Sequence, residues 1–296
     1  MRMITTAALF GQPQDPRVRE QARQVAVWLT SAGVRTLISE PTDDVPAELV
    51  DRTTLVSESD VFIAIGGDGT LLYAARIAIG HNIPVLGINL GRLGFLTDIS
   101  PDEMESSLAS VLADEAIKET RMLLTAEVWR NDRKVSEALA VNDVVVGRRD
   151  TGRMIDFETR VDGVFLNDHA GDGLILATPT GSTAYALSCG GPILQPTLEA
   201  IALVPVCPHT LSDRPIVLPA DVEIGVRRTE RYQTAAEISV DGQLLGELQA
   251  NDALLIRRAN QQLHLLHPPG YDYAELLRSK LNWGADSRRR TPPQER

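Results

Sequence analysis

Three glycines surround one carboxylate in the stretch Ile65–Leu71, which reads Ile-Gly-Gly-Asp-Gly-Thr-Leu. An apolar run, Val61–Ile65, precedes this stretch, and a run with helical spacing, Leu71–Ile79, follows it. Glycines let the backbone turn tightly and bring its N–H groups against a negatively charged ligand. A carboxylate at such a place repels phosphate unless it takes up a proton or faces a metal ion. The stretch therefore predicts phosphoryl transfer, with Asp68 as the catalytic base.

The same turn could instead be a tight strand-to-helix connection that binds nothing. A ligand site is favoured because ligands of open α/β sheets bind beyond the carboxyl ends of the strands, where Asp68 falls. The chain has neither the Gly-Lys-Ser/Thr of a Walker loop nor a Gly-x-Gly-x-x-Gly turn, so another design must hold the phosphates. We expect the turn to bind the phosphates of the donor at Gly66, Gly67, Gly69 and Thr70.

A second cluster is rich in hydroxyl groups. Asp172-Gly173 leads through an apolar run into Thr178–Tyr185, which reads Thr-Pro-Thr-Gly-Ser-Thr-Ala-Tyr. Four hydroxyl side chains and a tyrosine at the start of a short helix, predicted over Ala184–Ser188, can bind ribose, phosphate or an amide. Helix capping accounts for one or two of these hydroxyls but not for five, so a ligand role is favoured.

Asn142 and Asp143 form a polar pair inside an apolar run, Val141–Val146, that is predicted to be a strand. Neighbouring strand residues point to opposite faces, so at least one of the pair should face inward unless a bulge intervenes. A buried polar pair needs partners, and either a hydrogen-bonded turn or the hydroxyls of a ligand would supply them. Of the histidines, His169 is expected to be solvated, and His209 is a weaker candidate for ligand contact.

The bulk composition is that of an ordinary globular protein and excludes several functions. The 296 residues are 43% hydrophobic and 23% charged, which allows two domains with separate cores. A net charge of -11 and an aromatic content of 4% argue against a nucleic-acid partner. No apolar run approaches the roughly 20 residues of a membrane span. The two cysteines, Cys189 and Cys207, are expected to stay reduced, which predicts a cytoplasmic location.

The order of predicted elements indicates an α/β domain followed by a β-rich domain. Strand-like and helix-like runs alternate over residues 1–118, which predicts a Rossmann-like α/β domain with a parallel sheet. Short β-rich runs separated by turn pairs occupy residues 119–268 and predict a second, mostly β domain. A last helix within 269–284 is expected to pack back on the first domain, and 285–296 reads as a disordered tail.

Together these motifs resemble the NAD kinase family. The glycine turn, Gly66–Thr70, is shared with diacylglycerol and sphingosine kinases and loosely with phosphofructokinase, whereas the other motifs are more particular to NAD kinases. Many family members have Glu where this chain has Asp143. The more particular motifs are Asp172-Gly173 with Thr178–Tyr185, Cys207–Ile216, Asp241–Gln243 and Leu277–Gly284.

The resemblance implies a reaction and a set of site residues. NAD kinases transfer the γ-phosphoryl group of ATP to the 2′-hydroxyl of the adenosine ribose in NAD, forming NADP, and Asp68 matches their general base. A divalent metal ion, most simply Mg²⁺, would offset the charge of the donor phosphates against Asp68. The family also implies a homodimer or homotetramer. Family members carry Arg, Lys or a small residue at the place of Ala170. The implied NAD-binding residues are Asp68, Gly69, Asn142, Asp143, Arg153, Ala170, Asp172, Thr183, Ala184, Tyr185, Ala186, Leu187, Ser188, Cys207 and Gln243.

Two other functions remain open from the sequence. A lipid kinase of the diacylglycerol type would share the glycine turn but should lack the hydroxyl-rich Thr178–Tyr185 segment. A non-catalytic NAD sensor would keep the pocket but would be expected to lose Asp68, which this chain retains.

Overall fold

The computed structural model describes residues 4–42, 44–91, 94–149, 154–229, 235–250, 252–281 and 283. The chain divides into two compact units. Unit 1 contains the residues up to Leu71, Leu86–Lys118 and the residues from Leu266 onward, and unit 2 contains Leu72–Val85 and Glu119–Leu265. The domain boundaries predicted at residues 118 and 268 stay a prediction.

The helices and strands of the N-terminal region alternate as the sequence indicates. The order of the parallel strands in unit 1 is β5-β4-β1-β2-β3. The strands are β1 (Thr6–Phe10), β2 (Arg35–Ile38), β3 (Glu48–Leu49), β4 (Val61–Ile65) and β5 (Val85–Ile88). The helices of the whole chain are α1 (Pro16–Ser31), α2 (Arg52–Glu58), α3 (Asp68–Ala78), α4 (Met104–Leu112), α5 (Tyr185–Ser188) and α6 (Tyr273–Leu281).

Local sequence explains why the elements of unit 1 form where they do. Helix α1 begins with Pro16, and the carboxylate of Asp15 accepts the N–H of Arg17 as an N-terminal cap. Its buried residues recur at helical spacing, from Val18 to Leu29. Every residue of β1 and β4 is buried, as expected for strands covered on both faces.

Unit 2 is built from antiparallel strands in two groups. One group is a six-stranded sheet of order β13-β12-β11-β8-β15-β16, and the other contains β10-β9-β14-β17, with β6 pairing β7 and β17. One core cluster includes residues from both groups, such as Val144 and Leu174 from the first and Phe157 and Ile256 from the second. The strands are β6 (Ile117–Arg130), β7 (Arg133–Ala140), β8 (Asp143–Arg148), β9 (Ile155–Val161), β10 (Val164–Gly171), β11 (Gly173–Ala177), β12 (Ala200–Val206), β13 (Ile216–Pro219), β14 (Ile224–Arg228), β15 (Ala236–Val240), β16 (Gln243–Leu248) and β17 (Ala253–His267).

The fold class predicted from the sequence, an α/β part followed by a β-rich part, is confirmed. Two element boundaries differ from the prediction in ways that matter for the site. Helix α3 begins at Asp68 rather than at Leu71, and strand β8 begins at Asp143 rather than at Val141. Strand β12 is an apolar run that the sequence analysis did not identify, and it contains Pro205, a residue that is unusual inside a strand. Within the described residues, no helix has the length and apolar character needed to cross a membrane.

Candidate functional site

The glycine turn joins strand β4 to helix α3 and leaves backbone N–H groups available. Gly66 has a φ of +149°, and its N–H donates to the Ile88 carbonyl of the neighbouring strand at 2.9 Å. Thr70 then donates its N–H to the Gly67 carbonyl at 2.9 Å. Leu71 donates its N–H to the same carbonyl at 3.2 Å, so the N–H groups of Asp68 and Gly69, the first two residues of α3, are the ones left for a ligand. The turn therefore presents unpaired donors and the positive end of a helix dipole, which suits an anion.

A cavity of about 340 Å³ in unit 1 lies against this turn. Three of the four predicted donor-binding residues line the cavity, namely Gly66, Gly67 and Thr70, whereas Gly69 does not. The lining also includes side chains that the sequence analysis did not select, Gln12, Asp15, Arg17 and Asn89 among them.

The position of Gln12 and Arg17 in the sequence could have identified them as candidates. Both follow strand β1, which is parallel to β4, so their loop falls at the same edge of the sheet as the glycine turn. The Arg17 guanidinium lies 2.8 Å from the Asp15 carboxylate. The cavity therefore combines backbone donors with one cation, as phosphate sites do, although Asp15, which also lines it, pairs with that cation through both carboxylate oxygens.

The carboxylate of Asp68 is held by a segment that we call the amide cradle, Phe95–Thr97. Its Oδ2 accepts the N–H of Phe95 at 2.8 Å. Its Oδ1 accepts the N–H of Leu96 at 3.1 Å, the N–H of Thr97 at 3.2 Å and the Thr97 hydroxyl at 3.1 Å. Since an ionised carboxylate has about four lone-pair sites, Oδ1 is fully used by these three donors. Oδ2, with one donor from the cradle, keeps a lone pair for a proton.

Gly94, directly before the cradle, leaves the space that the Asp68 carboxylate fills. A Cβ atom built on Gly94 would lie 1.7 Å from Asp68 Oδ1 and 2.4 Å from the Thr97 hydroxyl oxygen. The residue types of this segment gave no signal for the contact, and the sequence analysis missed it.

The prediction that Asn142 lies inside a strand is wrong. Val141 and Asn142 form a turn between β7 and β8, because the carboxylate of Asp241 takes their N–H groups out of any strand ladder. The distances are 2.9 Å to the N–H of Val141, 2.7 Å to that of Asn142 and 3.1 Å to that of Asp143. The hydrogen-bonded turn, one of the two alternatives, thus satisfies the backbone of the pair.

Asp143 is a buried acid with a perturbed ionisation. Its residue surface is 5% exposed. Burial raises the pKa of its carboxyl from 3.8 to about 7, and the negative charge of Asp241 adds to the increase. Such a group responds to small changes around neutral pH, which is common at functional sites.

Replacing Asp143 with Asn should make the protein more stable, and the gain should grow with pH. The carboxyl ionises near 3.8 when unfolded and near 7 when folded. The folded state therefore binds more protons between these values, and stability falls as the pH rises from about 4 to about 7. The gain of Asp143→Asn should rise by up to about 1.4 kcal/mol per pH unit in that window. Urea unfolding at about pH 5 and about pH 8 measures this difference.

Asp51 supplies the control for this experiment. The N–H of Thr54 donates to its carboxylate and lowers its pKa below 3.8, so Asp51 is ionised in both the folded and the unfolded state at about pH 5 and at about pH 8. Asp51→Asn should therefore change the stability by the same amount at both pH values. An equal gain for Asp143→Asn at both pH values would contradict the raised pKa.

The hydroxyl-rich segment lies directly against the Asn142 turn. Thr178 donates its N–H to the Asn142 carbonyl at 2.8 Å and its hydroxyl to the Val141 carbonyl at 2.6 Å. A Cβ on Gly181 would lie 2.0 Å from the Asn142 carbonyl oxygen, so only glycine allows this approach. Residues that are about 40 positions apart in sequence are therefore brought together, as the NAD-site prediction requires.

Helix capping accounts for none of these hydroxyls at the start of α5, but hydrogen bonds within the loop occupy several of them. Thr178 Oγ1 accepts the N–H of Gly181 at 3.0 Å, and Ser182 Oγ donates to Pro179 at 2.6 Å. Ser182 Oγ also accepts the N–H of Leu194 at 3.0 Å, and Thr183 Oγ1 donates to Thr180 at 3.2 Å. Three hydroxyls thus shape the loop itself.

Asp172, Ala170 and Cys207 form another group of predicted residues. Asp172 lies 3.2 Å from Arg148 Nε, and its N–H donates to the Val206 carbonyl at 2.9 Å. The Ala170 carbonyl accepts the N–H of His209 at 2.9 Å. Burial and then the neighbouring Cys189 and Cys207 raise the pKa of Tyr185, with a smaller contribution from Asp172. These residues therefore share one region of unit 2.

The remaining predicted residues differ in their surroundings. Ala186 is fully buried in a core cluster, which leaves only its backbone for a ligand, while Ser188 is exposed. Gln243 begins β16 directly after the Asp241-Gly242 turn, and Ala184 and Leu187 are half-buried. Arg153 lies outside the described residues.

The expectation that His169 is solvated is wrong. Its residue surface is 4% exposed, and its Nδ1 lies 2.7 Å from Asp213 Oδ2. Asp213, which precedes β13, supplies the partner that makes burial possible.

Comparison with known proteins identifies similar chains over most of the length. A family model described as the ATP-NAD kinase N-terminal domain matches residues 8–116, and one described as the ATP-NAD kinase C-terminal domain matches residues 141–267. The NAD kinase of Thiobacillus denitrificans is 44% identical over 285 residues, covering 94% of this chain and 97% of that protein. The NAD kinase of Halorhodospira halophila is 44% identical over 287 residues, covering 94% and 93%.

Two solved structures are similar to this fold. A yeast NADH kinase in complex with NADH superposes with a TM-score of 0.88 at 25% identity, covering 98% of this chain and 91% of that chain. An NAD kinase from Archaeoglobus fulgidus in complex with ATP gives a TM-score of 0.72 at 26% identity, covering 94% and 98%.

Proposed function

The chain belongs to the NAD kinase family, and we propose that it moves the γ-phosphoryl group of ATP onto the 2′-hydroxyl of the adenosine ribose of NAD, forming NADP. The observation that carries this proposal is the Asp68 carboxylate, held beside the glycine turn with one oxygen still able to accept a proton. The family models and relatives give no support to the lipid kinase alternative.

Asp68 is proposed as the general base through its Oδ2 atom. A sugar hydroxyl becomes a better nucleophile as its proton leaves, and a carboxylate within hydrogen-bond reach can take that proton. The cradle fixes the orientation of the carboxylate by binding Oδ1 with three donors. Because phosphoryl transfer has a loose transition state, positioning and charge stabilisation contribute more than the strength of the base.

The cavity at the glycine turn is proposed to hold the phosphates of ATP. The N–H groups at the start of α3 and the Arg17 guanidinium supply donors where negative charge would lie. NAD is proposed to bind through Asn142, Asp143 and the segment from Thr183 to Ser188, with Asp172 and Gln243 near its other end. Ionisation of Asp143 would let it accept the hydroxyls of the ribose.

A magnesium ion fits this arrangement as a companion of ATP. Mg²⁺ usually keeps several waters and binds largely through substrate phosphates, so it can accompany ATP while Oδ2 of Asp68 stays available for the proton of the ribose hydroxyl. Among the described residues, no three His, Cys, Asp or Glu side chains form a cage of their own. When bound, the ion would offset the negative charge of the phosphates.

One assay separates the three functions considered. NAD and ATP are supplied together with diacylglycerol as a second acceptor, and NADP and phosphorylated lipid are both measured. NADP as the only product is expected. Phosphorylated lipid would revive the lipid kinase. NAD binding in a calorimetric titration, with neither product formed in the assay, would indicate a sensor.

Replacing Asn142 with Ala should raise the KM for NAD about 10-fold, equivalent to about 1.4 kcal/mol, with less than about two-fold change for ATP. The variant removes the side chain but keeps the backbone bonds of Asn142 to Asp241 and Thr178. Steady-state kinetics with each substrate varied in turn measure both constants. Equal effects on the two substrates would mean that the pair is structural.

We further propose a cytoplasmic enzyme of NADP biosynthesis that assembles as a homodimer or homotetramer. Both cysteines are free, which agrees with a reducing compartment. Large apolar side chains on the surface of unit 2, including Val164, Phe165 and Leu211, offer area that association would bury.

A further inference from the structure

We propose that Asp98 and His267 are positioning residues, which act on the reaction by holding the amide cradle around Asp68. This inference rests on the proposed role of Asp68 as the base. His267 Nδ1 lies 2.7 Å from Asp98 Oδ2, and the two side chains are 1% and 8% exposed. The two residues are 169 positions apart, and the residue types around them do not predict this contact.

Asp98 is placed to control the cradle because it directly follows Thr97. Thr97 alone gives Asp68 two of its four hydrogen bonds, one from its N–H and one from its hydroxyl. A shift of the backbone at Asp98 therefore moves both donors at once. The Gly94 N–H also donates to the Thr97 carbonyl at 2.9 Å, so the cradle closes on itself and moves as one piece.

The cradle is anchored from two sides. On one side, Asn89 donates its side-chain amide to the Thr97 hydroxyl at 2.7 Å and its N–H to the Ile99 carbonyl at 2.8 Å. On the other side, His267 binds the Asp98 carboxylate. Asn89 belongs to the segment after β5, and His267 ends β17, so the cradle is fixed between two separate parts of unit 1.

On the side of the cradle that faces β17, the hydrogen bond from His267 is the main contact that holds the Asp98 carboxylate. Asp98 Oδ1 is buried and makes no hydrogen bond to any described residue. The His267 ring stacks on the Tyr271 ring at 3.9 Å between centroids and 9° between planes, which fixes the direction of Nδ1. Removing the imidazole would leave a buried carboxylate without its partner, a costly arrangement that is relieved when the segment moves toward water.

Movement of the cradle should affect the rate and not the binding of substrates. A displacement of about 1 Å at a reacting group can cost about 10²-fold in rate. We expect Asp98→Ala and His267→Ala each to lower kcat about 10- to 100-fold. The KM values for NAD and ATP should change less than about three-fold, since a group that acts only on the transition state leaves KM unchanged.

The experiment compares full-length variants by NADP formation and by amide hydrogen exchange at Phe95–Thr97. His267→Asn keeps an N–H donor near the Nδ1 position and should recover most of the rate lost in His267→Ala. Asp252→Ala is the matched control, because it removes a buried carboxylate that pairs with the partly exposed Arg130, at 2.8 and 2.9 Å, in unit 2. Faster exchange at the cradle, together with lower kcat, is expected for Asp98→Ala and His267→Ala but not for Asp252→Ala.

Two results would overturn the inference. Unchanged exchange at Phe95–Thr97 would mean that the pair does not hold the cradle, and faster exchange with normal kcat would mean that the cradle does not position the base. Asp68→Asn assayed beside these variants keeps the two proposals apart. If Asp68→Asn retains normal turnover, the assignment of Asp68 as the base fails. If Asp68→Asn is inactive but Asp98→Ala has a normal kcat, only the positioning role of Asp98 and His267 is removed.

Discussion

Replacing Asp68 with Asn is expected to lower kcat for NADP formation by about 10²- to 10⁴-fold, the usual contribution of a general base. The amide has nearly the shape of the carboxylate, and its oxygen can take the place of Oδ1 with three donors from the cradle. The amide nitrogen then stands at Oδ2, where it cannot accept the proton of the ribose hydroxyl and also loses the hydrogen bond from the N–H of Phe95. Steady-state kinetics give the rate, and calorimetric titration gives the affinity for NAD.

The affinity for NAD should stay within about three-fold of the original, because the lost interaction belongs to the transition state. Asp51→Asn serves as the control, since Asp51 also accepts a backbone N–H, at 2.7 Å, but does so at the start of α2. Near-normal turnover of Asp68→Asn would remove Asp68 from the role of base. A large loss of NAD affinity with normal kcat would assign it to binding instead.

The second large effect is expected at Asp241, whose side chain is fully buried. Replacing Asp241 with Ala leaves the N–H groups of Val141, Asn142 and Asp143 without their acceptor, and each such loss costs about 1–3 kcal/mol. Unfolding by urea should therefore show a loss of at least about 3 kcal/mol. The KM for NAD should rise more than about 10-fold, because the turn that carries Asn142 is no longer held.

Asp162 provides the comparison for Asp241→Ala. Both residues have positive φ and precede a glycine in a turn between antiparallel strands. Asp162 accepts the N–H of Glu223 at 2.9 Å and is exposed, so Asp162→Ala should be much milder and should leave the KM for NAD unchanged. Equal losses for the two variants would mean that the three hydrogen bonds of Asp241 contribute no more than one at the surface.

The sequence was most informative where a function depends on neighbouring residues. The glycine turn could be predicted because its strand, its glycines and its helix follow one another along the chain. The contacts that complete the site could not be predicted, because they join residues that are far apart in sequence. Asp68 binds the cradle 27 to 29 positions away, and Asp241 binds the Asn142 turn 98 to 100 positions away. The spacing of residues along the sequence does not show that a carboxylate about 100 positions away binds the N–H groups of Val141 and Asn142 and keeps them out of strand β8.

Two further differences have the same physical origin. Asn142 was assigned to a strand because its neighbours are apolar, yet hydrogen bonds to Asp241 decide its backbone conformation. The number of hydroxyls in Thr178–Tyr185 favours a ligand role, yet the Thr178 hydroxyl donates to the Val141 carbonyl, 37 positions earlier. Partners that are distant in sequence determine both outcomes.

Gly94 links the evolution of two positions in unit 1. Its glycine supplies space and not an unusual backbone angle, in contrast to Gly66, whose φ is +149°. Any side chain at 94 would occupy the volume of the Asp68 carboxylate, so a larger residue there is compatible only with a smaller one at 68. A descendant that replaces Asp68 with a smaller residue can then carry a larger residue at 94 and keep its fold. Such a protein would regain the reaction only if both positions changed back.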